Sequence, residues 1–168
     1  MSLQRLIVTM ALTCTMVMVM YAVDSIIGKQ AKSFTLPDQF EKEWKWEQFK
    51  GKNVLLFICD KKGRTYADAW VKPLRTTFGN QCEYVAIGDM SSVPFFLKGF
   101  VRGKIRDGMQ QPLLLDWSGD VVEYYNCKED IVNVVMIDKT NTIRYVTKGT
   151  GTADEIKAAT QEVQKLIK

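Results

Sequence analysis

The chain holds four cysteines, Cys14, Cys59, Cys82 and Cys127, and not one histidine in 168 residues. Nucleophilic or redox chemistry would therefore have to come from a thiol. A thiolate attacks disulfides and peroxides, and a helix N-terminus or a nearby cation brings its pKa towards neutrality. The missing histidine removes Ser-His-Asp and Cys-His catalysis, His-containing zinc or copper sites and c-type haem attachment. Proton transfer is left to Cys, Asp, Glu, Lys or Tyr. No metal and no cofactor is expected.

A sequence that is 46% hydrophobic and 25% charged suits one globular domain with a real core. Its 23 basic and 19 acidic residues leave a net charge of +4, spread along the chain. A mild excess without a basic block gives no reason to expect a nucleic-acid partner. The N-terminus is different. Arg5 precedes an uncharged run over residues 6–23, and Asp24 follows it. A cation, an apolar stretch and small residues at Val23 and Ser25 read as a signal peptide. Eighteen apolar residues are also near the lower limit for spanning a bilayer, so an uncleaved anchor is the alternative. Both readings divide the chain into a targeting segment, 1–25, and an exported domain, 26–168. Membrane contact is then expected only through the N-terminal segment, if it is uncleaved. The exported part keeps Cys59, Cys82 and Cys127, in a compartment that permits disulfides, and their odd number leaves one unpaired.

Short apolar runs alternate with helical stretches along that domain, which predicts an α/β fold. Residues 33–36, SFTL, read as a strand ended by Pro37-Asp38, and residues 43–46 as a second edge strand. Residues 53–59, NVLLFIC, are apolar almost throughout and predict a central strand buried on both faces. A helix is expected over 65–78, with Pro73 inside it, then a buried strand over 83–87. Residues 91–102 read as an apolar helix whose aromatic stripe faces the core, with the cations of 98–106 turned outward; the alternative for the basic, aromatic segment 95–106 is contact with a membrane surface or a partner. A short strand at 113–115 leads to the turn Asp116-Trp117-Ser118-Gly119. Residues 133–138 and 142–147 form a hairpin, the first strand central and the second nearer an edge. The last helix, 152–168, opens on a Thr152 and Glu155 capping box.

The order F-T-L-P-D-Q, F-K-G-K-x-V-L-L-F, a helix, L-L-D-W-S-G, V-V-M-I-D-K, then a final strand and helix resembles the redoxin family. This is the alkyl hydroperoxide reductase and thiol-specific antioxidant branch of the thioredoxin-like proteins. The likeness runs over residues 31–168. It implies a three-layer sandwich, a central mixed β-sheet flanked by helices. It also implies a reactive site at the start of the helix after NVLLFIC, where partial positive charge and free N–H groups stabilise a thiolate.

At that junction the sequence departs from the family. Counting from the strand puts Gly63 and Tyr66 at the two cysteine positions; counting back from Pro73 puts Thr65 and Asp68 there. Neither yields a cysteine, and Arg64 lies between. The family's cis-proline would fall near Val132, where there is no proline. Gly63, Arg64, Thr65, Tyr66, Asp68 and Val132 are thus expected to rim the site. Cys59 ends the central strand and Cys127 lies in the segment leading to the altered loop. They are the candidate pair, either a displaced redox pair, Cys59 as nucleophile and Cys127 as resolver, or a structural disulfide. The alternative for each is a small buried hydrophobe, which is also the reading of Cys82. Two functions follow: an exported thiol oxidoreductase or antioxidant acting on a protein or thiol partner, and a redox-inactive thioredoxin-like module binding a protein or small ligand.

Overall fold

In a computed structural model, residues 25–167 are described; the proposed targeting segment 1–25 lies almost wholly outside them. Strand β3 (Val54–Cys59) is the centre. It pairs in parallel with β4 (Glu83–Asp89) and antiparallel with β6 (Val132–Ile137). Strand β5 (Leu114–Asp116) extends the sheet beside β4, and β7 (Ile143–Gly149) closes the other edge, giving the order β5-β4-β3-β6-β7. The mixed sheet, the central β3 and β6, and the edge position of β7 agree with the sequence. The two short N-terminal strands do not join this sheet. β1 (Thr35–Pro37) and β2 (Glu43–Lys45) pair with each other as a separate hairpin. Asp38 organises it, accepting from the amides of Phe40 and Lys42 and from Trp44 Nε1.

Alternation along β3 sends its side chains to two cores. Val54, Leu56 and Ile58 meet Phe34, Trp46, Phe49, Val121 and Tyr125 on one face. Leu55 and Phe57 meet Trp70, Leu74, Phe78, Ala159 and Val163 on the other. That second layer is α1 (Ala67–Phe78) and α4 (Ala153–Leu166). Trp70 Nε1 donates to the Gly149 carbonyl at 3.0 Å, fixing α1 against the end of β7. The capping box is present: Thr152 Oγ1 accepts from the Glu155 amide, and Glu155 Oε2 accepts from the amides of Thr152 and Gly151.

One part of the sequence reading is corrected. The helix expected over 91–102 is α2 (Lys98–Gly108), entered by a 3-10 turn at Phe95–Leu97. Its core-facing residues are Val101 and Ile105, packed with Leu113, Leu115 and Trp117. Phe95, Phe96 and Phe100 point outward, at 84%, 74% and 64% exposed, so the aromatic stripe is a surface.

Asp116, fully buried, shapes the chain after β5. Its Oδ1 accepts from the Gly119 amide and the Ser118 hydroxyl, and its Oδ2 from the amides of Val121 and Val122. These bonds start the short helix α3 (Asp120–Tyr124), which leads to Cys127. Asp116→Ala would leave buried N–H groups without acceptors. A loss of roughly 2–4 kcal/mol in urea unfolding is expected, with Asp116→Asn less affected.

Candidate functional site

β3 and β4 run parallel and end together, and the open end of an α/β sheet is where sites form. Cys59 closes β3 and Asp60 follows it. Asp60 Oδ1 accepts from the Gly63 amide at 2.7 Å and its Oδ2 from the Asp130 amide at 3.0 Å. One carboxylate thus ties the turn after β3 to the loop before β6. Lys62 adds an ion pair to Asp130 at 2.9 Å. Burial alone would raise the Asp60 pKa, but the donated N–H groups of Gly63, Asp130 and Lys62 outweigh it and hold the carboxyl below its usual range.

Gly63 opens the 3-10 turn Gly63–Tyr66 that feeds α1. It is buried, and a Cβ on it would press into the Ile131 carbonyl, 2.8 Å from the carbonyl carbon and 3.0 Å from Cys59 Cβ. The position that one alignment offers for a cysteine therefore admits no side chain with the backbone where it stands. The other candidates lie outside the contact. Thr65 Oγ1 donates to the Lys62 carbonyl at 2.8 Å, and Asp68 pairs with Lys72 at 2.6 Å, one helical turn on. Arg64 and Tyr66 are exposed, and Val132 is fully buried in β6. Among the described residues no peptide bond is cis.

Asn133, which the sequence reading did not single out, secures the loop from the other side. Its Nδ2 donates to the carbonyls of Ile58 at 3.2 Å and Lys128 at 2.9 Å, and its Oδ1 accepts from the Lys128 amide at 2.8 Å. The residue is 3% exposed. One polar side chain at the head of the apolar run NVVMID was the only signal for it.

Cys59 and Cys127 meet at one small cavity of about 10 Å³, with Asp60, Asp89, Lys128 and Asn133 around it. That is room for a single water. The two cysteines arrive from opposite sides. Cys59 packs with the α1 and α4 layer, following the alternation of β3, and Cys127 packs with the Tyr125 side. Both thiols are free, as is that of buried Cys82. Burial pushes the Cys59 pKa up to about 11, with Asp60 adding and Arg64 opposing. Burial likewise pushes Cys127 up to about 12, with Asp89 adding and Lys148 opposing. A larger groove, about 470 Å³, lies at the other end of the sheet between Asn53, Cys82 and Lys139. It takes no side chain from the rim.

Solved structures share this architecture. The exposed lipoprotein thioredoxin of Streptococcus pneumoniae is 18% identical, with 78% of this chain and 99% of that one covered and a TM-score of 0.61. A thiol:disulfide interchange protein of the thioredoxin family from Chlorobium tepidum is 15% identical over 84% of this chain and 97% of that one, TM-score 0.58. Peroxidoxin BcpB from Mycobacterium tuberculosis is 18% identical over 83% and 97%, TM-score 0.58. The fold is therefore thioredoxin-like. No family model and no curated protein matches the chain.

Two outcomes test this geometry. Gly63→Ala should cost roughly 1–3 kcal/mol in chemical unfolding, because backbone rather than a flexible side chain must move. Asp60 has a folded pKa below its unfolded value near 4. Its contribution to stability is then complete above about pH 5 and is lost as pH falls through the folded pKa. Asp60→Asn should flatten the acid side of the stability–pH curve while leaving its neutral shape unchanged.

Proposed function

We propose that this chain is an extracytoplasmic thioredoxin-like binding module, and that the turn after β3 serves it as a contact surface for a protein or small ligand. The observation that carries this reading is the seating of Gly63 against the Ile131 carbonyl. It fills the place from which one of the two alignments would present a nucleophile, and the Gly63 amide is taken by Asp60. The side chains offered to solvent there are Arg64, Thr65 and Tyr66, which suit recognition more than electron transfer. Export is supported by Arg5 followed by the uncharged run 6–23, as signal peptide or anchor, and by the likeness to an exposed lipoprotein thioredoxin. Among the described residues no helix is long and apolar enough to cross a membrane.

The second reading is a thiol oxidoreductase with a displaced site, Cys59 as nucleophile and Cys127 as resolver. The cavity they share favours it. The step would join the two sulfurs, releasing two protons and passing two electrons to a peroxide or disulfide. Their raised pKa values weigh against it: with a pKa near 11, about one thiol in ten thousand is ionised at pH 7.

Alkylation of the native protein at neutral pH, followed by mass spectrometry of each cysteine, separates the readings. For the binding module, Cys59 and Cys127 react at least about a hundredfold more slowly than an unfolded thiol. Arg64→Ser with Tyr66→Ser should weaken capture of a specific partner from the extracytoplasmic fraction. Peroxide turnover that disappears in a Cys59→Ser, Cys127→Ser double variant would establish the oxidoreductase and reject the module.

A further inference from the structure

The start of α2 carries the largest unexplained surface of the described chain. Phe95, Phe96 and Phe100 are 84%, 74% and 64% exposed, and Leu97 beside them is 40% exposed. Phe96 and Phe100 lie four residues apart, on the side of the helix away from Val101 and Ile105, which hold it to the core. Gly99 and Gly103 have open space where a side chain would stand. No neighbouring element covers these rings.

The charges around the rings are mostly positive. Residues 91–106 contain Lys98, Arg102, Lys104 and Arg106 and no acid. Lys104 Nζ lies 5.7 Å from the Phe100 ring, and Lys98 Nζ lies 5.3 Å from the Trp117 ring. Glu41 engages Arg102, and Asp107 stands 3.9 Å from Arg106 at the far end of the helix.

We infer that this face is a docking surface for an anionic phospholipid bilayer, with the three phenyl rings entering the interface and Lys104 and Arg106 meeting headgroup phosphates. Two features point to lipid rather than a protein groove. Exposed rings beside an excess of cations, four against Glu41 and Asp107, match what a negatively charged interface takes up, by burial of apolar surface together with electrostatic attraction. The same chain also carries the uncharged run 6–23, long enough to reach across a bilayer. Where that run is retained as an anchor, a bilayer is the nearest apolar neighbour of the domain, and the lipid reading rests on that retention for this part of its support. This surface is separate from the turn after β3 and stands whether or not that turn binds a ligand.

Hydrogen exchange on the full chain in lipid nanodiscs tests it. Amides of residues 95–106 should exchange on the order of tenfold more slowly in phosphatidylglycerol-containing discs than in pure phosphatidylcholine discs, because docking suppresses local opening. The slowing should shrink near 1 M salt, where the screening length falls to about 3 Å. It should vanish in a Phe95→Ser, Phe96→Ser, Phe100→Ser variant, and also in Lys104→Glu with Arg106→Glu, which keeps the rings. Equal exchange in both lipids would overturn the inference. Slowing that appears only when a second protein is added would overturn it as well, and would assign the face to that protein.

Discussion

Strand β3 is hydrogen-bonded along both edges and covered on both faces, and the rim takes its form from the point where that strand ends. A strand buried this way has no freedom of register: a shift by one residue would exchange its two cores. Cys59 is therefore held on the α1 side, and Asp60 is delivered to the gap between two loops. From there its carboxylate reaches the Gly63 and Asp130 amides together. Asn133 pairs with Ile58 in the sheet register and closes the same gap from β6. The Gly63–Ile131 contact is a consequence of these three anchors, since each draws the loop before β6 onto the turn after β3.

Much of this arrangement was legible in the residues. NVLLFIC announced a strand buried on both faces, and Thr152 with Glu155 announced the start of α4. The aromatic stripe was misread for a physical reason. Phe96 and Phe100 share the four-residue spacing of Leu97, Val101 and Ile105, so two adjacent helical stripes are apolar. Periodicity shows that a face exists, and packing against Leu113 and Leu115 decides which face is buried. The rim was only half visible. A glycine at position 63 can be read from the sequence, but the carbonyl it abuts belongs to residue 131, across the fold. Asn133 looked like a strand boundary because one polar residue before an apolar run usually is one.

Cys59 and Cys127 share a cavity but come to it from different faces of the sheet. Sequence placed Cys59 and Cys127 at one rim, and both do line one water-sized space. The alternation of β3 nevertheless assigns Cys59 to one face, while α3 carries Cys127 along the other. A reactive thiol is made by exposure and positive charge. Here desolvation comes first for both groups, and the nearest carboxylates, Asp60 and Asp89, add to it. Arg64 and Lys148 oppose these effects without reversing them. The thioredoxin-like scaffold supplies the helix entrance that stabilises an anion, and the anion found there is the Asp60 carboxylate.

That substitution alters what the open end of the sheet can do. β3, β4 and β5 all finish on this side, and α2 begins from it, with Lys98 of its first turn above Trp117. The turn bearing Arg64 and Tyr66 and the face bearing Phe95 and Phe96 are therefore both reached from the carboxyl end of the parallel strands. A catalytic thiol needs its surroundings open to substrate and able to exchange bonds. Loops tied by carboxylate and amide, beside half-buried thiols, are the opposite arrangement. Asp60, Asn133 and Asp116 each accept from a loop amide, and Asn133 also donates to the Ile58 and Lys128 carbonyls, so the loops at this end of the sheet are tied to one another and to β3.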